Sequence, residues 1–213
     1  MLEINHVCSL GSSCHSSQLL KRNNYKVCSY PFDWIFSNFE TITHCLKDNF
    51  ETFLDKSYYI NIAKKKCGHS KYHSQMWWHH NPLINKKHYN YYVRCVERFK
   101  DLLTKQEHKL FTMIFLNINY NNIEADIDYN IIDDIIDFNR KFSEYTSNYT
   151  LLVILHIPFR LLKNYHKFTY YGNIHFIELY TLSGSCGVKF SNENDNVYLD
   201  NIINSNYDFN IKN

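Results

Sequence analysis

Cys14 stands where a short apolar strand gives way, through Gly11, Ser12 and Ser13, to a segment that scans as a helix. The first helical position meets backbone N–H groups without intrahelical partners and the positive end of the helix dipole, and both favour a thiolate there. A thiolate nucleophile also needs a base within hydrogen-bond reach and donors for the oxyanion it creates. The N–H groups of Ser13, Cys14 and His15 are candidates for those donors. Ser12 and Ser13 are alternative nucleophiles; otherwise they are turn residues and the helix cap. Beyond a polar turn comes Tyr30 to Trp34, a proline-fixed aromatic segment whose one carboxylate, Asp33, gives it the character of a site wall.

The candidate bases are histidines. His79 and His80 follow Trp77 and Trp78 in a proline-bounded stretch, and His80 is preferred because Asn81 beside it could orient the ring. His156 directly follows a buried strand, where a satisfied structural histidine is the ordinary reading. His15 points away from Cys14 on a helix and is expected at the surface. Arg94 and Arg98, one turn apart, could grip an anionic substrate group, with surface pairing to Glu97 or Asp101 as the bland alternative. Cys67, His69, His73, His79 and His80 have no zinc-type spacing, so no metal or cofactor is expected.

These residues need elements to hold them. The pattern predicts a strand over 4–10, a helix over 14–22, and a second helix opened by Ser37 and Glu40 as a capping box. Residues 55–86 read as an irregular, aromatic and His-rich insertion, and a long helix follows near 87–105. Apolar runs at 110–116, 151–155 and 174–179 read as buried strands, with an amphipathic helix at 131–138 and a short helix after Pro158. A last short helix is expected at 197–203, with the tail after 205 frayed. Continuous apolar strands alternating with helices predict one α/β domain over 1–213. Its sheet is mostly parallel, about four or five strands, with helices on both faces. Ligands bind such sheets at the carboxyl ends of the strands. That edge would collect loop 11–13, Asn117 and Asn119 after one strand, and His156 after another.

Composition narrows the function classes. Of 213 residues 45% are hydrophobic and 21% charged, as in ordinary globular proteins, and the net charge of +2 gives no overall basic field for nucleic acid or an anionic membrane. Seven scattered cysteines without a CxxC pair, and an amino-terminal stretch unlike a signal peptide, predict reduced thiols and an intracellular location.

Ser9-Leu10-Gly11-Ser12-Ser13-Cys14, then Ser29-Tyr30-Pro31-Phe32-Asp33-Trp34, and later Trp78-His79-His80-Asn81-Pro82 ahead of Tyr91 to Phe99, resemble a family of "putative papain-like cysteine peptidases" that carries a domain-of-unknown-function label and occurs in large DNA viruses and bacteria. The resemblance covers roughly residues 6–155. It implies Cys14 as nucleophile and His79 or His80 as base, with Asp33 inside the matched motif but without an assigned role. The expected substrate is a peptide, a protein or an acyl ester, the expected setting is the host cytoplasm, and a host protein is the partner under the non-enzyme alternative. The family's second acidic-aromatic motif is matched at Asp195 to Asp200 only without its tryptophan. The strand–helix alternation fits SGNH-type hydrolase or Rossmann-like layering better than a papain fold. An SGNH-like esterase or acyltransferase is therefore the rival enzyme, although its C-terminal Asp-x-x-His is missing. A catalytically silent host-interaction protein is the rival outside enzymes.

Overall fold

The computed structural model describes residues 1–118 and 129–211. In chain order the elements are β1 (Leu2–Ile4), β2 (His6–Ser9), α1 (Cys14–Arg22), α2 (Phe39–Lys47), α3 (Glu51–Leu54), β3 (Tyr59–Ala63), β4 (Lys66–His69) and β5 (His73–Trp77). There follow α4 (Lys86–Thr104), β6 (Lys109–Phe115), α5 (Tyr129–Phe142), β7 (Tyr149–Pro158), β8 (Tyr165–Tyr171), β9 (Ile174–Thr181), α6 (Glu193–Asn206) and β10 (Tyr207–Phe209).

The centre is a five-stranded sheet in the order β2-β6-β7-β9-β8, parallel throughout except for β8. The apolar runs at β6 and β7 are continuous because both faces of these strands are covered. Along β7 the odd residues Leu151, Val153 and Leu155 share a core with Ile42 of α2, Phe99 of α4 and Phe138 of α5. The even residues Leu152 and Ile154 share a second core with Leu19 and Leu20 of α1 and Leu199 and Ile203 of α6. Each fully buried aliphatic or aromatic side chain contributes roughly 1.5–3 kcal/mol, so the two cores together fix the register of the sheet.

The structure departs from the sequence reading in four places. Residues 59–77 are a three-stranded antiparallel sheet, β3-β4-β5, where an irregular stretch was expected. Its inner side is polar-aromatic, with Tyr59 and Trp77 rings 4.8 Å apart and His69 5.9 Å from Trp77, so the usual apolar alternation is missing. The segment after Pro158 forms β8 and not a helix. Phe159 turns the chain at φ 63°, and Gly172 (φ 62°) closes the β8–β9 hairpin. Asn38, one residue past the expected Ser37, caps α2 by accepting from the Thr41 N–H at 2.8 Å. Finally, α6 is longer than expected, and Tyr207–Phe209 after it pairs in parallel with β1, so residues 207–209 of the expected frayed tail are held in place.

Candidate active site

A cleft of about 1000 Å³ opens at the carboxyl edge of the sheet. Ser12 and Ser13 after β2, Leu116 and Asn117 after β6, and Ser185 and Cys186 after β9 line it; Tyr72 and His73 close it from the small sheet. Of the residues named from sequence, Ser12, Ser13 and Asn117 reach this cleft. Asn119 lies outside the described residues.

Cys14 is the first residue of α1, directly behind the Ser12–Ser13 lip of the cleft, and is 9% exposed. Ser13 caps the helix with an extended backbone (φ −155°) and accepts from the His15 N–H at 3.4 Å. The expected depression of the thiol pKa is not what this environment produces. Burial raises it above its ordinary value, the neighbouring backbone pulls it back only in part, and the Asp33 carboxylate adds to the rise. A helix start lowers a thiol pKa when water or a cation also reaches the sulfur; here desolvation is the larger effect. Among the described residues no histidine nitrogen hydrogen-bonds the Cys14 sulfur.

The turn ahead of Cys14 and the Tyr30–Trp34 segment are one construction. Gly11 sits at φ 88°, where a Cβ would collide with the Ser37 hydroxyl and stand 2.9 Å from the Phe32 carbonyl, so only glycine fits. The Ser37 hydroxyl donates to the Leu10 carbonyl (2.7 Å) and accepts from the Ser12 N–H (3.1 Å). Ser12 is held at φ 67°, with its hydroxyl on the Ile114 carbonyl of β6. Asp33, fully buried, pairs with Lys26 and accepts from the Tyr30 N–H at 2.8 Å. Burial raises its carboxyl pKa against the pull of the Lys26 ammonium. Asp33 thus folds the aromatic segment under α1, and Phe32 packs edge-on against Phe99 at 5.5 Å.

The histidines divide by what they touch. His80 stacks on Tyr91 at 5.2 Å, and its Nδ1 lies 3.3 Å from the Tyr92 hydroxyl. Tyr92 is buried, and burial first, then Tyr91 and Cys95 beside it, raises its hydroxyl pKa. Burial, then His88 and His79, pulls His80 down to about 4, so it is neutral at neutral pH. Asn81 does not orient His80. Its amide donates to Asn61, Ala63 and Lys66 at 2.8–3.1 Å, its side-chain carbonyl accepts from Leu83 and Ile84, and its N–H donates to His88. His79 and Arg94 are exposed, Arg94 on the outer side of α4.

His156 is spent. Its Nδ1 accepts from the Asn117 N–H at 3.2 Å, which puts the proton on Nε2, 2.7 Å from the Thr181 hydroxyl; that hydroxyl donates to the Ser183 carbonyl. Burial lowers its pKa to about 4. The Asn117 side chain is equally occupied, donating to the Ser185 carbonyl and accepting from the Ser185 N–H, both at 2.8 Å. His15, expected at the surface, is fully buried edge-on to Phe190 at 4.5 Å, with Nδ1 2.9 Å from the Ser185 hydroxyl.

Sequence reasoning passed over Cys186, which is exposed on the cleft wall and has a thiol pKa lowered by the backbone of Lys189 and Val188. The signal was present: Ser183 to Gly187 repeats, after β9, the small-residue composition of Gly11 to Cys14 after β2. Asp195, from the weak C-terminal motif, accepts from the N–H (2.8 Å) and hydroxyl (2.7 Å) of Ser183 and so shapes this second loop. Asp200 of the same motif pairs with Arg22 at 2.7 Å and ties α6 to α1.

A family model described as "Putative papain-like cysteine peptidase" matches residues 5–157, the span from β2 through almost all of β7. Comparison with curated proteins and with solved structures gives no match.

Proposed function

The chain belongs to the putative papain-like cysteine peptidase family, and from that premise we propose that it is a thiol-dependent hydrolase with Cys14 as its nucleophile. The observation that carries this reading is the place of Cys14: it opens α1 immediately behind Ser12 and Ser13, which form the lip of the large cleft. The Ser13 and Cys14 N–H groups are the donors for an oxyanion. His80 is the base. The Cys14 proton passes to His80, whose Nδ1 the Tyr92 hydroxyl holds at 3.3 Å. The thiolate then attacks a carbonyl carbon and forms an acyl-thioester. The leaving group takes the proton back along the same path, and water releases the acyl group. The substrate is a peptide, a protein or an acyl ester. The mostly parallel central sheet with helices on both faces supports an SGNH-like esterase variant of the same chemistry as the rival within enzymes.

A second reading has its own support. The raised thiol pKa and the lack of a bonded histidine suit a domain that keeps the cleft for binding a host protein and performs no chemistry. Labelling with a small thiol electrophile across pH separates the two. The hydrolase reading expects Cys14 labelling to slow markedly in Tyr92→Phe and in His80→Ala. Equal Cys14 rates in wild type and both variants would leave only the binding reading.

A further inference from the structure

The modest net charge conceals an uneven distribution. Between Lys56 and Val96 there are eight Lys or Arg residues and no Asp or Glu, which leaves fifteen cations against twenty-one carboxylates in the remaining chain. Five of the eight gather at one end of the small sheet. Lys64 and Lys65 form the β3–β4 turn, Lys66 opens β4, and Lys86 and Lys87 open α4. The Asn81 side chain joins these two places, donating to the Ala63 and Lys66 carbonyls and accepting from the Ile84 N–H. Among the described residues none of the five lysines is in an ion pair. Lys86 and Lys87 also occupy a first helical turn that has no acidic residue, where cations oppose the helix dipole. Their charge adds to the positive end of the helix dipole, so this end carries a concentrated positive potential at a local cost in stability.

Apolar side chains stand out of the same end and along the β3 strand that leads to it. Ile60 and Ile62 of β3 are 41% and 42% exposed, Ile84 57%, and Trp78 37%, with the Lys66 ammonium 3.3 Å from the Trp78 ring centroid. Lysines around protruding isoleucines and a tryptophan make an amphipathic tip: the aliphatic groups enter a hydrocarbon boundary, the indole sits at headgroup depth, and the ammonium groups meet anionic headgroups. A nucleic-acid surface would have no use for three bare isoleucines. We infer that the β3–β4 tip, with Trp78 and the start of α4, docks the protein on an anionic lipid surface. The opposite end of the small sheet carries Tyr72 and His73 in the wall of the cleft, so docking leaves the cleft open.

Co-sedimentation of the full chain with phosphatidylcholine vesicles, with or without about 30% phosphatidylserine, tests this directly, since each lysine near such a surface contributes about fivefold in partitioning. Binding is expected only to the serine-containing vesicles and to weaken with salt. Lys64→Glu/Lys65→Glu should reduce it more than tenfold, and Ile60→Ser/Ile62→Ser should also weaken it; all four positions are exposed, and an unchanged circular dichroism spectrum and melting curve will show the fold intact. Trp78 fluorescence should shift to the blue on binding, a change lost in Trp78→Phe. Equal binding to both vesicle types, no binding, retention of full binding in either double variant, or tighter binding to single- or double-stranded oligonucleotides than to vesicles would each overturn the inference.

Discussion

The Tyr92 hydroxyl lies 3.3 Å from Nδ1 of His80, in the aromatic layer between α4 and the small sheet. This hydrogen bond ties the aromatic-histidine segment to the buried face of α4. Tyr92→Phe keeps the ring and its packing against Trp77 and Phe53, and removes only the oxygen. The expected result is a fall in kcat of roughly 10²-fold or more, the size of a lost general-base path, with KM unchanged. A variant with full kcat would remove Tyr92 from the mechanism.

The two cleft-side thiols should differ in reactivity. Cys186 is exposed with a lowered pKa, whereas Cys14 is buried with a raised one. Substoichiometric alkylation near neutrality is therefore expected to mark Cys186 first, with Cys14 following only as the pH rises, because the thiolate is the reacting form. Peptide mapping that finds Cys14 modified before Cys186 would contradict the burial described for α1.

Asp33 and Lys26 form a buried pair, so removing one partner strands the other. Asp33→Asn is expected to cost about 3–5 kcal/mol of stability in denaturant melts. Replacing both by apolar residues of similar size should recover much of that loss. A single-variant change below about 1 kcal/mol would mean that the pair does not organise the Tyr30–Trp34 segment.

Burial also makes a pH dependence. His15 and His156 are held down to about 3 and about 4, from an ordinary 6.5. Between those values the unfolded chain binds protons that the native state refuses. Stability therefore rises with pH across that window and is lost as the pH falls from 6.5 towards 4, by about 1.4 kcal/mol per unit for each such histidine. Thermal midpoints taken through this range should fall steadily, and His15→Leu should flatten the slope. A flat midpoint would show that these rings are protonated in the native protein.

Much of the fold could be read directly because β6, β7 and β9 are strands buried on both faces, which leave an uninterrupted apolar run in the sequence. The small sheet could not, because its buried side is Tyr59, His69 and Trp77 and four of the five residues of β3 are exposed. The β8 strand was hidden by the left-handed Phe159, which turns the chain where a helix start seemed natural. At the site, the strand–turn–helix setting of Cys14 was legible from residue types alone. The burial of its sulfur was not, since that follows from tertiary packing that the local residue types do not encode. Nor could the sequence show that the Asn81 amide is consumed by the β3–β4 turn, or that Asn117 and His156 satisfy one another.

The most direct measurement on the central claim is mass-spectrometric mapping of a trapped acyl adduct. The protein would be incubated with an activated ester or thioester, quenched in acid and digested. The acyl group is expected on Cys14, absent in Cys14→Ser and strongly reduced in His80→Ala. An adduct confined to Cys186 or Ser12, or an unchanged yield in Cys14→Ser, would contradict it.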